Sequence, residues 1–175
     1  GAFMSLIGYF LLNRIVNERG LVNTDEILCE LHKEVVNVLN QGADSDVHDG
    51  MDLALCRIDA TKGEVMFSGA GNPVYHVRGE DLMEYKGDFF SVGGTQYKKR
   101  VPYTSKTFEY KPGDVLTMFS DGITDQFSND GSTKFGYRQV KKHLVEHAES
   151  DLQQIHSNFE KKMDNWMGSH RQMDD

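Results

Sequence analysis

The succession of hydrophobic periods predicts an α+β fold: two helical stretches, a run of short strands, then two more helical stretches. Three observations carry this. Apolar side chains recur at helical spacing over residues 3–16 and 24–39. Residues 51–119 break into short, partly β-branched apolar runs punctuated by Gly, Pro, Asn and Asp. Helical spacing then returns over residues 137–147 and 152–166. Because helices and strands are segregated rather than alternating, the sheet is expected to be mostly antiparallel, with helices covering its faces. At 175 residues and 38% hydrophobic content the chain can bury one sizeable core, so a single domain over residues 1–175 is expected.

The chain begins without an initiator Met and without the basic region, apolar core and cleavage site of a signal peptide, which suggests that it is cut from something longer. Phe3 to Val16 is very apolar, but with Asn13 and Arg14 inside it falls short of the roughly 20 residues that span a bilayer. A buried helix covered on more than one side is therefore expected. Thr24, followed by Asp25 and Glu26, is an N-cap signature. Ile27, Leu28, Leu31, Val35, Val38 and Leu39 then trace one face of a second, amphipathic helix. Residues 41–50 are rich in Asp and Gly and read as a loop. Asp44, Asp46 and Asp49 imitate a calcium loop but lack its bidentate Glu at the twelfth position.

Met51 to Ile58 and Glu64 to Ser68 read as a hairpin joined by Asp59-Ala60-Thr61-Lys62-Gly63, and Gly69-Ala70-Gly71-Asn72-Pro73 breaks it. That glycine-rich segment can cradle a phosphate on its N–H groups or simply turn tightly. Val74 to Val77, Leu82 to Tyr85, Thr107 to Tyr110 and Val115 to Phe119 continue as short strands. The final helices are Tyr137 to His147 and Leu152 to Trp166. His143 and His147 lie four apart on one of them. With no Glu between them in a zinc-binding motif and no third ligand, they read as a solvated face.

A net charge of −8 argues against a nucleic-acid partner, which needs a basic face. Lys98-Lys99-Arg100 is most simply a solvated loop. Cys29 and Cys56 fit no metal or redox spacing and read as reduced core residues of a cytoplasmic protein.

The chemistry concentrates in Lys111 to Asp125. Pro112, Gly113 and Asp114 make a turn, Val115 to Phe119 a buried strand, and Asp121 stands where that strand stops. Gly122 behind it lets the backbone turn and an ion approach the carboxylate. Asp-Gly alone is an ordinary turn dipeptide, so its neighbours must decide.

Those neighbours carry a resemblance. Gly1-Ala2-Phe3-Met4-Ser5, Gly69-Ala70-Gly71-Asn72-Pro73, Val92-Gly93-Gly94, Pro112-Gly113-Asp114, Ser120-Asp121-Gly122-Ile123-Thr124-Asp125, Phe135-Gly136 and Asp174-Asp175 resemble, in order, the motifs of the SpoIIE-type branch of the protein phosphatase 2C (PPM) family. The resemblance implies an antiparallel β-sandwich flanked by helices, and hydrolysis of phosphoserine or phosphothreonine in proteins by a water that two Mn²⁺ or Mg²⁺ ions activate. Asp121 matches a metal-binding Asp of the family, and Asp174 matches the first Asp of its C-terminal pair. Asp175 supports that ligand, or replaces it if the register shifts by one. Gly69, Gly71 and Asn72, with Gly122, match positions that support the site.

The family has two strands carrying further aspartates before the Gly-Ala-Phe-Met-Ser helix, and a strand after the Asp-Asp pair. Their absence implies missing N-terminal and C-terminal strands, weak or no activity for these 175 residues alone, and sheet edges prone to homodimerisation. The implied substrate is a phosphoprotein such as an anti-sigma-factor antagonist, acted on by the output domain of a bacterial sensor. The rival reading is a non-catalytic phosphatase-like module for partner switching.

Overall fold

A computed structural model describes residues 2–41, 48–94, 102–172 and 174. Gly1, Asp44, Asp46, Lys98, Lys99, Arg100 and Asp175, all singled out above, lie outside the described residues. The chain forms α1 (Ala2–Asn13), a π-helical turn (Arg14–Glu18), α2 (Thr24–Val38), β1 (Gly50–Met51), β2 (Leu53–Asp59), β3 (Glu64–Ala70), β4 (Val74–Arg78), β5 (Asp81–Tyr85), β6 (Val92–Gly93), β7 (Lys106–Glu109), β8 (Val115–Thr117), α3 (Asp121–Asp125), α4 (Gly136–Glu146) and α5 (Leu152–Met167). Strand orders are β1-β6, β2-β3-β7 and β5-β4-β8. The expected helix–strand–helix order and antiparallel pairing hold, as the registers Leu53↔Ala70, Val65↔Phe108 and His76↔Leu116 show. The residues group into two compact units, 1–74 with 85–111, and 75–84 with 112–175.

In the first unit, α2 places Ile27, Leu28, Leu31 and Val35 on one buried stripe, where they meet Leu11 and Ile15 from the first helix and Ala70, Val92 and Tyr103 from the strand region. Burying each large aliphatic side chain is worth about 1.5–3 kcal/mol, so this stripe, not helix propensity, holds α2 in place. Three details differ from expectation. Thr24 is not the cap: Asn23 precedes the helix, and the buried Thr24 hydroxyl bonds instead to Ser68 Oγ on β3 at 2.8 Å. The first helix is covered along one side only, with Leu11 and Ile15 inside while Phe3, Leu6, Tyr9 and Phe10 are more than half exposed. Its all-round apolar sequence therefore does not translate into all-round burial. Val38 likewise points outward.

β3 also runs two residues further than expected, because Gly69 and Ala70 pair with Ala54 and Leu53 and extend the hairpin into the glycine-rich segment. The chain ending the first helix is tied to α2 by Arg14–Glu34 (2.6 Å) and Arg19–Glu30 (2.8 Å). Both arginines are well solvated, so these pairs contribute little beyond orientation.

In the second unit, Tyr75, Val77, Val115, Phe135, Val140, Leu144 and Ile155 form the core, with Phe119 stacked on Tyr75 at 5.5 Å between ring centres. Asp114, read from sequence as turn punctuation, is a buried hub. Its carboxylate accepts from His76 Nε2 (2.7 Å) and from Arg78 Nε (3.0 Å) and Nη2 (2.7 Å), which ties β4 to the start of β8. His143 corrects the solvated-face expectation. It is 1% exposed, and its Nε2 donates to the Ile155 carbonyl at 3.1 Å. The reason was in the spacing: Val140, His143 and Leu144 share the apolar stripe of α4, with His143 beside the half-buried His147, 4.5 Å between ring centres.

Two measurements follow from the second unit. Asp114→Ala removes the acceptor for a buried imidazole and a guanidinium, and is expected to lower unfolding stability by about 3 kcal/mol, read by chemical denaturation; a loss within error of zero contradicts the hub. Loss of hydration holds His143 below the ordinary imidazole value of 6.5, with His147 and Lys162 adding repulsion against the pull of the Ile155 carbonyl and Glu146. A folded value below the unfolded one means that stability is complete above about pH 6.5 and declines as pH falls, because the unfolded chain takes up the proton first. His143→Gln is expected to flatten the loss between pH 7.5 and 5 in denaturation midpoints, whereas an unchanged pH slope refutes the assignment.

Candidate metal-binding site

Asp121 opens α3, four residues beyond the last residue of β8, and lies exposed with its carbonyl accepting from Thr124 Oγ at 3.1 Å. The strand is shorter than expected, and Gly122 is a buried second residue of α3 instead of a sharp turn after the strand. Asp174 is exposed in the segment after α5, where its carbonyl accepts from Gln172 Nε2 at 2.8 Å. Gly122 and Asp174 line one open cleft of about 500 Å³, shared with Ile123, Gln126, Glu160 and Asp164. The second unit therefore carries both aspartates picked from the sequence, and the cleft brings Asp174 together with the residue beside Asp121.

Carboxylate oxygens are the donors that a hard divalent cation prefers, so the chemistry of Asp121 and Asp174 fits part of an Mn²⁺ or Mg²⁺ site. The number of donors does not complete it: among the described residues no three His, Cys, Asp or Glu side chains group so as to hold a metal. His143 and His147 add nothing, since the Nε2 of His143 is committed to Ile155.

Gly69, Gly71 and Asn72 belong to the first unit, where their turn is braced from several sides. Gly71 N–H donates to the Asp88 carbonyl at 2.8 Å, and Asp88 N–H returns to the Gly69 carbonyl at 2.8 Å. A Cβ on Gly69 would stand 2.2 Å from the Asn72 carbonyl oxygen, so only glycine lets the backbone close there. Gly71 has φ +76°, and a Cβ on it would meet the Asp52 carboxyl at 2.4 Å. With its N–H committed and a carboxylate against it, this turn is structural and is no cradle for an anion.

Asp52 is a residue that sequence reasoning missed. It interrupts the strand expected over residues 51–58, between β1 and β2, and its Oδ1 accepts from Ser91 Oγ. A polar residue breaking a hydrophobic run was the available signal. Gln126 was missed as well, since a glutamine following the Asp-Gly motif announces nothing until it is seen buried.

A family model described as Stage II sporulation protein E (SpoIIE) matches residues 2–175. Among solved structures, the SiaA-PP2C domain of Pseudomonas aeruginosa is 24% identical, with 99% of this chain and 66% of that chain covered and a TM-score of 0.86. The phosphatase domain of the cell fate determinant SpoIIE from Bacillus subtilis, presoaked with Mn, is 20% identical over 96% of this chain and 69% of that one, with a TM-score of 0.56. The PP2C phosphatase domain of the same protein with a fragment of its regulatory domain is 19% identical over 90% and 44%, with a TM-score of 0.63. These likenesses show a PP2C-like fold, of which the chain spans about two thirds of the SiaA domain's length. No curated protein matches.

The braced turn has a direct test. Gly71→Ala combines an unfavourable positive φ with a clash against Asp52, whereas Gly20→Ala, at φ +69° in open space, carries the backbone cost alone. Backbone strain of this kind costs about 1–2 kcal/mol, so Gly71→Ala is expected to lower the denaturation free energy by clearly more than Gly20→Ala does. Equal losses would show that Asp52 does not press on the turn.

Proposed function

Since the match over residues 2–175 makes this chain a member of the SpoIIE family of PP2C-type phosphatases, we propose that it hydrolyses phosphoserine or phosphothreonine in a protein substrate with Mn²⁺ or Mg²⁺ bound at Asp121 and Asp174. The observation that carries the reading is the occurrence of the two family-matched aspartates in one compact unit, with Asp174 and the Gly122 that follows Asp121 lining the same cleft. The bound ions would supply a water acidified enough to act as a nucleophile near neutral pH and would offset the charge of the phosphoryl group.

The chain's own part is to hold two negative oxygens at a solvent-open cleft. Asp121 is carried by α3, whose next residues Gly122 and Thr124 are buried and anchor it. Asp174 is carried by a segment whose backbone is hydrogen-bonded to the same region. Glu160 and Asp164, set against the single positive charge of Lys161, leave the cleft net negative together with Asp174, which draws divalent cations toward it.

The proposed substrate is a small phosphoprotein such as an anti-sigma-factor antagonist, met in the cytoplasm by the output domain of a signalling protein. No helix among the described residues is long and apolar enough to cross a membrane. Self-association at the sheet edges belongs to the same reading.

The shortage of a third donor among the described residues favours a second reading, a phosphatase fold used for partner switching without turnover. One experiment separates the two. In the full-length protein, Asp121→Asn is expected to lower Mn²⁺-dependent dephosphorylation of a phosphopeptide by more than about 100-fold while leaving the unfolding midpoint near wild type. An unchanged rate in the variant refutes Asp121 as a ligand. A wild-type protein that neither binds Mn²⁺ nor releases phosphate refutes the enzyme reading and favours partner switching.

A further inference from the structure

Gln126 directly follows α3 and is 1% exposed. Its side-chain Nε2 donates to the carbonyls of Phe127 and Arg171, each at 3.3 Å. Its own carbonyl accepts from Phe135 N–H at 2.9 Å and from the Trp166 indole Nε1–H at 3.3 Å. One residue thus joins four stretches of the second unit: the helix that Asp121 opens, the loop that follows it, the last turn of α5, and the segment that carries Asp174 three residues after Arg171. Asn129 reinforces the same junction, its N–H donating to the Trp166 carbonyl at 2.8 Å and its Oδ1 accepting from Ser169 N–H at 2.9 Å.

Burying a primary amide costs free energy unless its N–H groups are used, and an aliphatic residue of the same volume would sit here more cheaply as far as packing goes. What the amide adds is direction. It aims a donor at the backbone of the Asp174 segment, which leaves α5 without regular structure and is also held at Ser169 by Asn129. Gln126 also lines the cleft shared by Gly122 and Asp174.

We propose that Gln126 is a positioning residue for divalent-cation binding, holding the Asp174 segment against the Asp121 helix so that the two carboxylates serve one site. The inference rests on the reading of Asp121 and Asp174 as cation ligands, and its test is arranged so that the two fail differently. Mn²⁺ affinity is measured by electron paramagnetic resonance of the free ion on the full-length protein, for wild type, Asp121→Asn and Gln126→Met, with thermal unfolding recorded on the same samples. Gln126→Met keeps the volume and removes the donor. It is expected to weaken Mn²⁺ binding roughly 10- to 100-fold, the usual cost of losing a group that orients a ligand, while unfolding cooperatively.

Wild-type affinity in Gln126→Met, together with loss of binding in Asp121→Asn, overturns the role of Gln126 and leaves the ligand reading intact. Wild-type affinity in Asp121→Asn, or a wild-type protein that binds no Mn²⁺, overturns both. If Gln126→Met does not fold, Trp166→Phe decides in its place, since it deletes the indole donor to the same residue and keeps an aromatic ring against Phe135. Weakened Mn²⁺ binding in that variant supports the junction, and an unchanged affinity overturns it.

Discussion

A carboxylate in a nearly dry sheet is stable only where enough N–H groups converge on it, and the second unit depends on such a convergence at Asp114. Its side chain is 4% exposed, and both of its oxygens are engaged by His76 and Arg78. Those partners are alternate residues of β4, while Asp114 immediately precedes β8. The charge cluster therefore fixes where β8 begins against β4, in the register Val77↔Val115. A slip by one residue would turn Val115 away from the core and pull Asp114 from its donors, so burial and electrostatics select the same register. With β8 only three residues long, that register also sets where the chain emerges to form α3. The position of Asp121 is inherited from a buried charge seven residues earlier.

The same logic accounts for what could be read from the sequence. Periodicity located α1, α2, α4 and α5 and nearly every longer strand, because the apolar stripes of α2 and α4 and the runs of β3 and β4 are buried where their spacing says, but it gave no sign of α3, whose residues read as a turn. It failed where a side chain has two uses. Thr24 has the chemistry of a cap, but its hydroxyl is drawn to Ser68 across the core, and burial of two hydroxyls against each other is specified only in three dimensions. His143 was assigned by its polarity to solvent although its position puts it on the apolar stripe, where one backbone carbonyl suffices to accommodate a neutral imidazole. The first helix failed in the opposite sense, since hydrophobicity on all sides says that a surface wants cover without saying that this chain supplies it.

The candidate site was legible to a similar degree. Asp121 and Asp174 are found by motif, but what surrounds them is not. Asp52, Asp114 and Gln126 are polar residues whose work is to brace backbone, and such residues leave no period and no spacing in a sequence. Asp52 lies against Gly71 in the first unit, and Gln126 ties the ends of the cleft in the second. Each occupies a place where the backbone makes a close approach or an unusual exit, which is where a hydrogen-bonding group does more than an aliphatic one.

The contrast between exposed acids and buried amides also bears on how such a site can bind a cation at all. Asp121 and Asp174 are exposed, so a cation can reach either carboxylate without first opening the fold. Precision cannot then come from packing around the side chains themselves. It has to come from the backbone beneath them, and there the structure concentrates its polar interior: Gly122 and Thr124 are buried under Asp121, Gln126 is buried between α3 and the Asp174 segment, and the carbonyl of Gln126 is capped by Phe135 and Trp166. A cation that takes up oxygens from both aspartates would meet ligands whose side chains are exposed but whose main-chain origins are held. That arrangement keeps the ordering cost of binding in a few rotamers of short side chains instead of in the fold.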